Sequence, residues 1–293
     1  MVMVLNLLPQ YRSFITFSEL GNRGRLGNQL FQYAAAKSYA LKNNMSLFIP
    51  TDKEHKLGNF NISGIRIKKQ YLKLLNKENF EQIGFHFDTA FYKYSKRIDI
   101  NGSFQSEKYF IEYRDIFLRE FILKDILKND YCLQYIEKIK SENPGKSIVA
   151  LHNRRGDNIP YKNKYSDKEL GVFRPDKEAY HPLLSMDYIN KARSYFSGAV
   201  FLIFSDNTED IQWCKDHIHG ENHYYSEGHD DLTDLTLMKY CDHNIISNST
   251  FSWWAAWLNE NPDKKVIAPK KWFGDHYKFW SLKDLYPSNW III

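Results

Sequence analysis

From residue 146 to residue 270 short apolar runs alternate with helical patterns, and this alternation most constrains the fold. The runs are Ile148–Leu151, Ala199–Phe204, Asn244–Ser247 and Val266–Ala268. Helical patterns fall between them at Ser185 to Ser197, Thr208 to His217, Asp231 to Cys241 and Phe251 to Leu258. Continuous apolar runs suit strands buried on both faces of a parallel sheet, and their alternation with helices predicts a doubly wound α/β fold. The start of the chain carries the same signature. Phe14 to Leu20 reads as a strand, Gly21 to Asn28 as a glycine-rich turn, and Gln29 to Asn43 as a helix with Leu30, Tyr33, Ala34 and Leu41 on one stripe. Leu47–Ile49 reads as a further strand, stopped by Pro50. Residues 51 to 140 have weak periodicity, with a helix expected only over Tyr131 to Lys140. The polar break Glu142-Asn143-Pro144-Gly145 is the best linker. A chain of 293 residues accommodates two lobes of about 150 residues each. They are expected at 1–144 and 145–293, with about the last 20 residues packing back on the first lobe.

Composition excludes several functions. Hydrophobic content of 43% rules out wholesale disorder. The aromatic share is high at 16%, and most of these rings are expected in the core. A net charge of +5 without long basic runs argues against nucleic acid and for a small anionic ligand. Cys132, Cys214 and Cys241 share no metal-like spacing, and their odd number argues against a disulfide framework, which points to a reducing compartment. No stretch of about 20 apolar residues exists to cross a membrane, and Met1 to Leu8 lacks the marks of a signal peptide. The expectation is a cytoplasmic protein, with at most peripheral contact at an inner membrane.

Three segments can carry chemistry. The first is Leu151-His152-Asn153-Arg154-Arg155-Gly156-Asp157, which hangs two guanidinium groups beyond the end of a buried strand, where α/β sheets bind ligands. A planar, permanently charged fork suits a diphosphate. One arginine is expected to grip the ligand and the other to brace the loop on a carboxylate; a plain surface pair is the alternative. The second is Ser247-Asn248-Ser249-Thr250-Phe251, between a strand and a helix, where backbone donors and the helix dipole suit phosphate. Ordinary N-capping by Ser249 or Thr250 explains it equally well, and Trp253 and Trp254 read as core. The third is the glycine turn containing Gly27, Asn28 and Gln29. It lacks the G-x-G-x-x-G spacing of dinucleotide binders but lets a ligand approach the backbone. There is no P-loop, H-E-x-x-H, C-x-x-C or Asp-x-Asp. Cationic side chains and helix dipoles, rather than a divalent metal, are therefore expected to neutralise a leaving diphosphate.

Together these segments resemble the family 11 glycosyltransferases, the α-1,2-fucosyltransferases, of bacterial type. Gly24-Arg25-Leu26-Gly27-Asn28-Gln29-Leu30-Phe31-Gln32-Tyr33-Ala34 is similar to the family's opening motif, and His152 to Asp157 to its H-x-R-R-G-D-Y motif. Phe204-Ser205-Asp206 with Trp213-Cys214 resembles the second block, and Asn244 to Leu258 with Val266 to Phe273 the last. The resemblance implies a GT-B-type fold of two Rossmann-like lobes facing a cleft, inverting transfer of L-fucose from GDP-fucose to the 2-hydroxyl of a galactose-containing glycan, and no metal. It implies that Arg154 contacts the β-phosphate, and that His152 and Asp234 lie at guanine and ribose. Ser249, Thr250 and Phe251 would then lie at the diphosphate, with Arg155, Asp206 and Asn248 on the donor side. Gly27, Asn28 and Gln29 would face fucose and acceptor. Asn158 stands where the family has Tyr, and Arg25 where Gly is commoner. Asp157 reads either as the general base or as an ion-pair partner of the arginines. Residues 159 to 182, with Tyr161, Tyr165, Phe173 and Tyr180 between prolines, read as an acceptor-selecting segment or a surface loop. Rival readings are a non-catalytic sugar or nucleotide binder and a transferase using another nucleotide sugar.

Overall fold

The computed structural model describes residues 12–22, 24–51, 55–93, 96–156 and 181–293. The chain divides into two compact units, 1–124 with 280–287, and 125–279 with 288–293.

The first unit holds a five-stranded sheet in the order β3-β2-β1-β5-β4, with every neighbouring pair parallel. Its strands are β1 (Phe14–Thr16), β2 (Ser46–Pro50), β3 (Ile65–Ile67), β4 (Glu78–Glu81) and β5 (Arg97–Asn101). The chain leaves β1 for β2 and β3 on one side, then returns through β4 to place β5 on the other side of β1. The topological switch point therefore lies between the carboxyl ends of β1 and β5. Helix α1 (Leu26–Lys42) follows β1. The run Ala34-Ala35-Ala36 leaves room around it for Phe31, Tyr33 and Tyr39, all buried. Two shorter helices, α2 (Lys69–Leu72) and α3 (Arg114–Glu120), complete the unit.

The second unit holds a six-stranded sheet in the order β11-β10-β9-β6-β7-β8, again with every neighbouring pair parallel. Its strands are β6 (Ile148–His152), β7 (Val200–Phe204), β8 (His223–Tyr225), β9 (His243–Ile245), β10 (Val266–Ala268) and β11 (Ile291–Ile292). Its helices are α4 (Ile126–Glu142), α5 (Met186–Arg193), α6 (Thr208–His217), α7 (Asp231–Tyr240) and α8 (Thr250–Leu258). Each starts at a side-chain cap: Asp125, Ser185, Asn207, Asp230 and Ser249. Strand β6 is buried throughout, and its Val149 and Leu151 share a core with Ile189, Phe201, Ile203, Cys214, Ile245 and Ile267. From β6 the chain runs outward through β7 and β8, then crosses back to β9. The second switch point is thus at β6 and β9.

The expected pair of parallel α/β lobes is present, with differences in detail. The break falls after Lys124 rather than at Glu142–Gly145. Helix α4 belongs to the second unit because Cys132, Ile136 and Ile139 on its buried face pack there. Asn129 accepts from the Tyr240 hydroxyl at 2.8 Å, which holds α4 on α7. Residues 280–287 belong with the first unit, where the Lys108 ammonium meets the buried Asp284 at 2.5 Å. The strand expected over Phe14–Leu20 stops at Thr16, and α1 starts at Leu26. The three cysteines are buried thiols, and burial pushes Cys132 up to about 12. Trp253 and Trp254 are core, as expected. No helix among the described residues is long and apolar enough to cross a membrane.

Candidate functional site

The second switch point assembles two of the three segments singled out in the sequence. The Arg154 amide donates to Ser247 Oγ at 3.2 Å, joining the loop after β6 to the loop after β9. Ser247 in turn donates to Asn248 Oδ1 at 3.1 Å. The Asn248 amide is spent on the carbonyls of Pro182 (2.9 Å) and Trp272 (3.2 Å), so this residue shapes the loop. Ser249 caps α8 by accepting from the Phe251 amide at 3.3 Å. Capping and anion binding do not compete here, because one cap satisfies only part of the donor set of a helix start. Thr250 opens the helix, and the Phe251 ring lies 5.8 Å from that of His152.

Each of the two arginines faces its own carboxylate. The Arg154 guanidinium pairs with Asp206 Oδ1, while Asp206 Oδ2 accepts from the Arg155 amide at 2.8 Å. Arg155 Cζ lies over the Trp213 ring, 3.6 Å from its centroid, with Nε 3.7 Å from Asp210. Asp210 also accepts from the Gly156 amide at 3.0 Å and from Asn207 Nδ2 at 2.7 Å. Gly156 has φ +24°, and a Cβ there would sit 2.7 Å from Asp206 Cγ. Arg155 is therefore a brace set over an aromatic ring, and Asp206 holds the loop that presents Arg154.

His152 ends β6 and is buried. Burial and the neighbouring Arg154 charge pull its imidazole down to about 3, so it is neutral at physiological pH. Its Nδ1 has no hydrogen-bond partner among the described residues. Asp234, in the first turn of α7, behaves oppositely. Burial raises its carboxyl to about 7, with Asp230 and Asp231 adding to the rise and Ser226 opposing it. Ser226 Oγ donates to Asp234 at 2.5 Å and also touches His229 Nδ1 at 2.8 Å. His229, itself pulled below its ordinary value by burial, lies 3.8 Å from Asp234. Asp157 and residues 159–180 lie outside the described residues.

The glycine turn is in the first unit. Gly27 is buried in the first turn of α1, and Gln29 Oε1 accepts from the Lys56 amide at 3.0 Å. Asn28 lies over Gly24, whose φ is +83° and whose missing Cβ would collide with it. Sequence reasoning named Ser247 and Trp213 within motifs without giving either a role of its own, and did not assign Asp210 or Ser226. Asp210 reads in sequence as part of the α6 cap, and Trp213 as an aromatic beside a buried Cys214; neither reveals a partner far away in sequence. No group of three or more His, Cys, Asp or Glu among the described residues could hold a metal ion.

The loops at the second switch point carry a guanidinium, a capped helix start and a neutral buried imidazole, at the sheet edge where α/β folds bind ligands. The chain belongs to glycosyl transferase family 11, whose family model matches residues 7–293, and it is thus a glycosyltransferase rather than a non-catalytic binder. It is 30% identical over 316 aligned positions to the O-antigen biosynthesis glycosyltransferase WbnK of Escherichia coli, covering 92% of this chain and 97% of that protein. An alpha-1,2-colitosyltransferase of Escherichia coli is 29% identical, covering 85% and 90%. The galactoside alpha-(1,2)-fucosyltransferase 2 of Hylobates lar is 25% identical, covering 80% and 67%. Among solved structures, POFUT1 in complex with GDP-fucose is similar at 14% identity and a TM-score of 0.45, covering 87% of this chain and 97% of that one.

Proposed function

We propose that this glycosyltransferase moves L-fucose from GDP-fucose to the 2-hydroxyl of a galactoside, inverting the anomeric carbon without a metal. The observation that carries the reading is the 3.2 Å bond from the Arg154 amide to Ser247. It joins the loop that bears a permanent cation to the loop that opens α8, at the sheet's carboxyl edge.

The acceptor oxygen forms a bond to the anomeric carbon as the bond from that carbon to the β-phosphate oxygen breaks. The bonding electron pair leaves with GDP, so negative charge grows on the β-phosphate during the step. A guanidinium already oriented by Asp206 stabilises that charge more in the transition state than in the ground state. The amides at the start of α8 add fixed positive partial charge. Neutral His152 and Asp234 are proposed to receive the nucleoside, with the carboxylate accepting from a ribose hydroxyl. The acceptor's proton is proposed to pass to Asp157. Asn28 is the proposed contact for the sugars in the first unit, since the Gln29 side chain already serves Lys56.

Incubation with GDP-fucose, lactose and EDTA, followed by mass spectrometry, tests the reading. A trisaccharide carrying one added fucose is the expected product. No product until a divalent metal is supplied would overturn the metal-free mechanism. The relative named as a colitosyltransferase makes colitose the competing sugar, and turnover only with the GDP-activated form of that sugar would replace fucose.

A further inference from the structure

The first switch point, between β1 and β5, carries a feature that the glycine turn alone does not explain. Gln105, in the loop after β5, donates from Nε2 to Asn28 Oδ1 at 3.1 Å. Gln32, one turn after Asn28 on α1, donates from Nε2 to the Gly102 carbonyl of the same loop at 3.0 Å. Both glutamines are more than nine-tenths buried, and the Oε1 atom of each has no partner among the described residues. Between them Phe104 takes φ +51°, a left-handed conformation for a bulky residue. Gln82 Oε1 holds it there by accepting from the amides of Ser103 (3.1 Å) and Phe104 (2.7 Å).

Two of these features oppose folding. A buried carbonyl without a donor and a left-handed phenylalanine are both costly, and an apolar side chain of similar shape at 105 would remove the first cost. Their shared result is geometric: they fix the Asn28 amide against Gly24 on one side and Gln105 on the other. We infer that Gln105 is a positioning residue that locks the orientation of Asn28 for a sugar hydroxyl, at the expense of stability. The inference rests on the proposed sugar-binding role of Asn28. The sugar is either the donor's fucose or the acceptor's galactose.

The test compares wild type with Gln105→Met, Asn28→Ala and the double variant. Gln105→Met should keep or raise the melting temperature and leave GDP affinity within about twofold, while kcat/KM falls roughly 10- to 100-fold, as misplacing a contact group does. The substrate whose KM changes identifies the sugar. The double variant should be no slower than Asn28→Ala, because one residue acts through the other. Losses that multiply in the double variant would overturn the inference. So would a lower melting temperature with unchanged turnover by the folded fraction. Should wild type fail to transfer fucose, only the proposed reaction falls, and Gln105 is then read by saturation-transfer NMR with L-fucose and lactose. Signals that weaken in Gln105→Met support the positioning role. Equal signals, or none in wild type, overturn it.

Discussion

Arg154 and Arg155 are adjacent in sequence and are held by different carboxylates, so their substitutions should differ. Arg154→Lys keeps the charge but loses the planar fork that Asp206 orients, and loss of one preorganised contact typically costs about 100- to 1,000-fold in rate. Steady-state kinetics should show that loss with an unchanged melting temperature; normal turnover in Arg154→Lys would remove its role. Asp234 makes a prediction in pH. Its carboxyl ordinarily ionises at 3.8 and in the fold at about 7, so the folded state keeps the proton more tightly than the unfolded one. This group's contribution to stability is therefore greatest below the unfolded value and declines as pH rises from there to about 7. Binding of the nucleoside by the carboxylate has the opposite sign. GDP affinity should improve as pH rises through 7, and Asp234→Asn should flatten that trend when measured by calorimetry. The groups around Asp234 are Ser226, His229, Asp230 and Asp231, with Cys132 reaching it from α4. His229 is pulled toward its neutral form, Cys132 is an uncharged thiol and the Lys128 ammonium is paired with Asp230, so none of them cancels the effect. An identical pH slope in the variant would exclude Asp234 from the nucleotide site.

At the scale of elements, the loop after β6 depends on a residue with no side chain. Gly156→Ala places a Cβ against the Asp206 carboxylate and must push away the group that orients Arg154. Activity should fall several-fold or more while β6 stays in register, a split visible by comparing kcat with amide exchange in residues 148–152. Ser249→Ala removes the cap of α8 at about 1 kcal/mol, and chemical denaturation should register it. If α8 supplies its amides to the diphosphate, GDP affinity should drop in the same variant. Two of the strands that sequence reasoning missed, β4 and β5, explain themselves at this scale. β4 is Glu78-Asn79-Phe80-Glu81 and β5 is Arg97-Ile98-Asp99-Ile100-Asn101. Their polar residues interrupt the continuous apolar run expected of a buried parallel strand, and β4 lies at a sheet edge. Here pairing with neighbours outweighs composition. The strands β6, β7 and β10 were legible because both faces of each are covered, which demands apolar residues throughout.

At the scale of the whole molecule, two parallel sheets each present a switch point, and the proposed chemistry divides between them. GDP should protect amides of 152–156 and 247–251 from hydrogen exchange, and a sugar ligand should protect 102–106. Protection by GDP confined to the first unit would reverse the assignment. The alternation of β6, β7, β9 and β10 with helices, the arginine pair beyond a buried strand and a cap at Ser249 or Thr250 were determined by the sequence alone. Each is a local matter of periodicity, charge or backbone preference. The tertiary structure alone decided that α4 belongs with the second unit, that Asp206 and Asp210 separate the two arginines, and that Gln105 meets Asn28. Those facts depend on strand order, which brings together residues far apart in the chain. No local pattern encodes a partner across a crossover connection, because side-chain contacts are settled only when the sheet has formed.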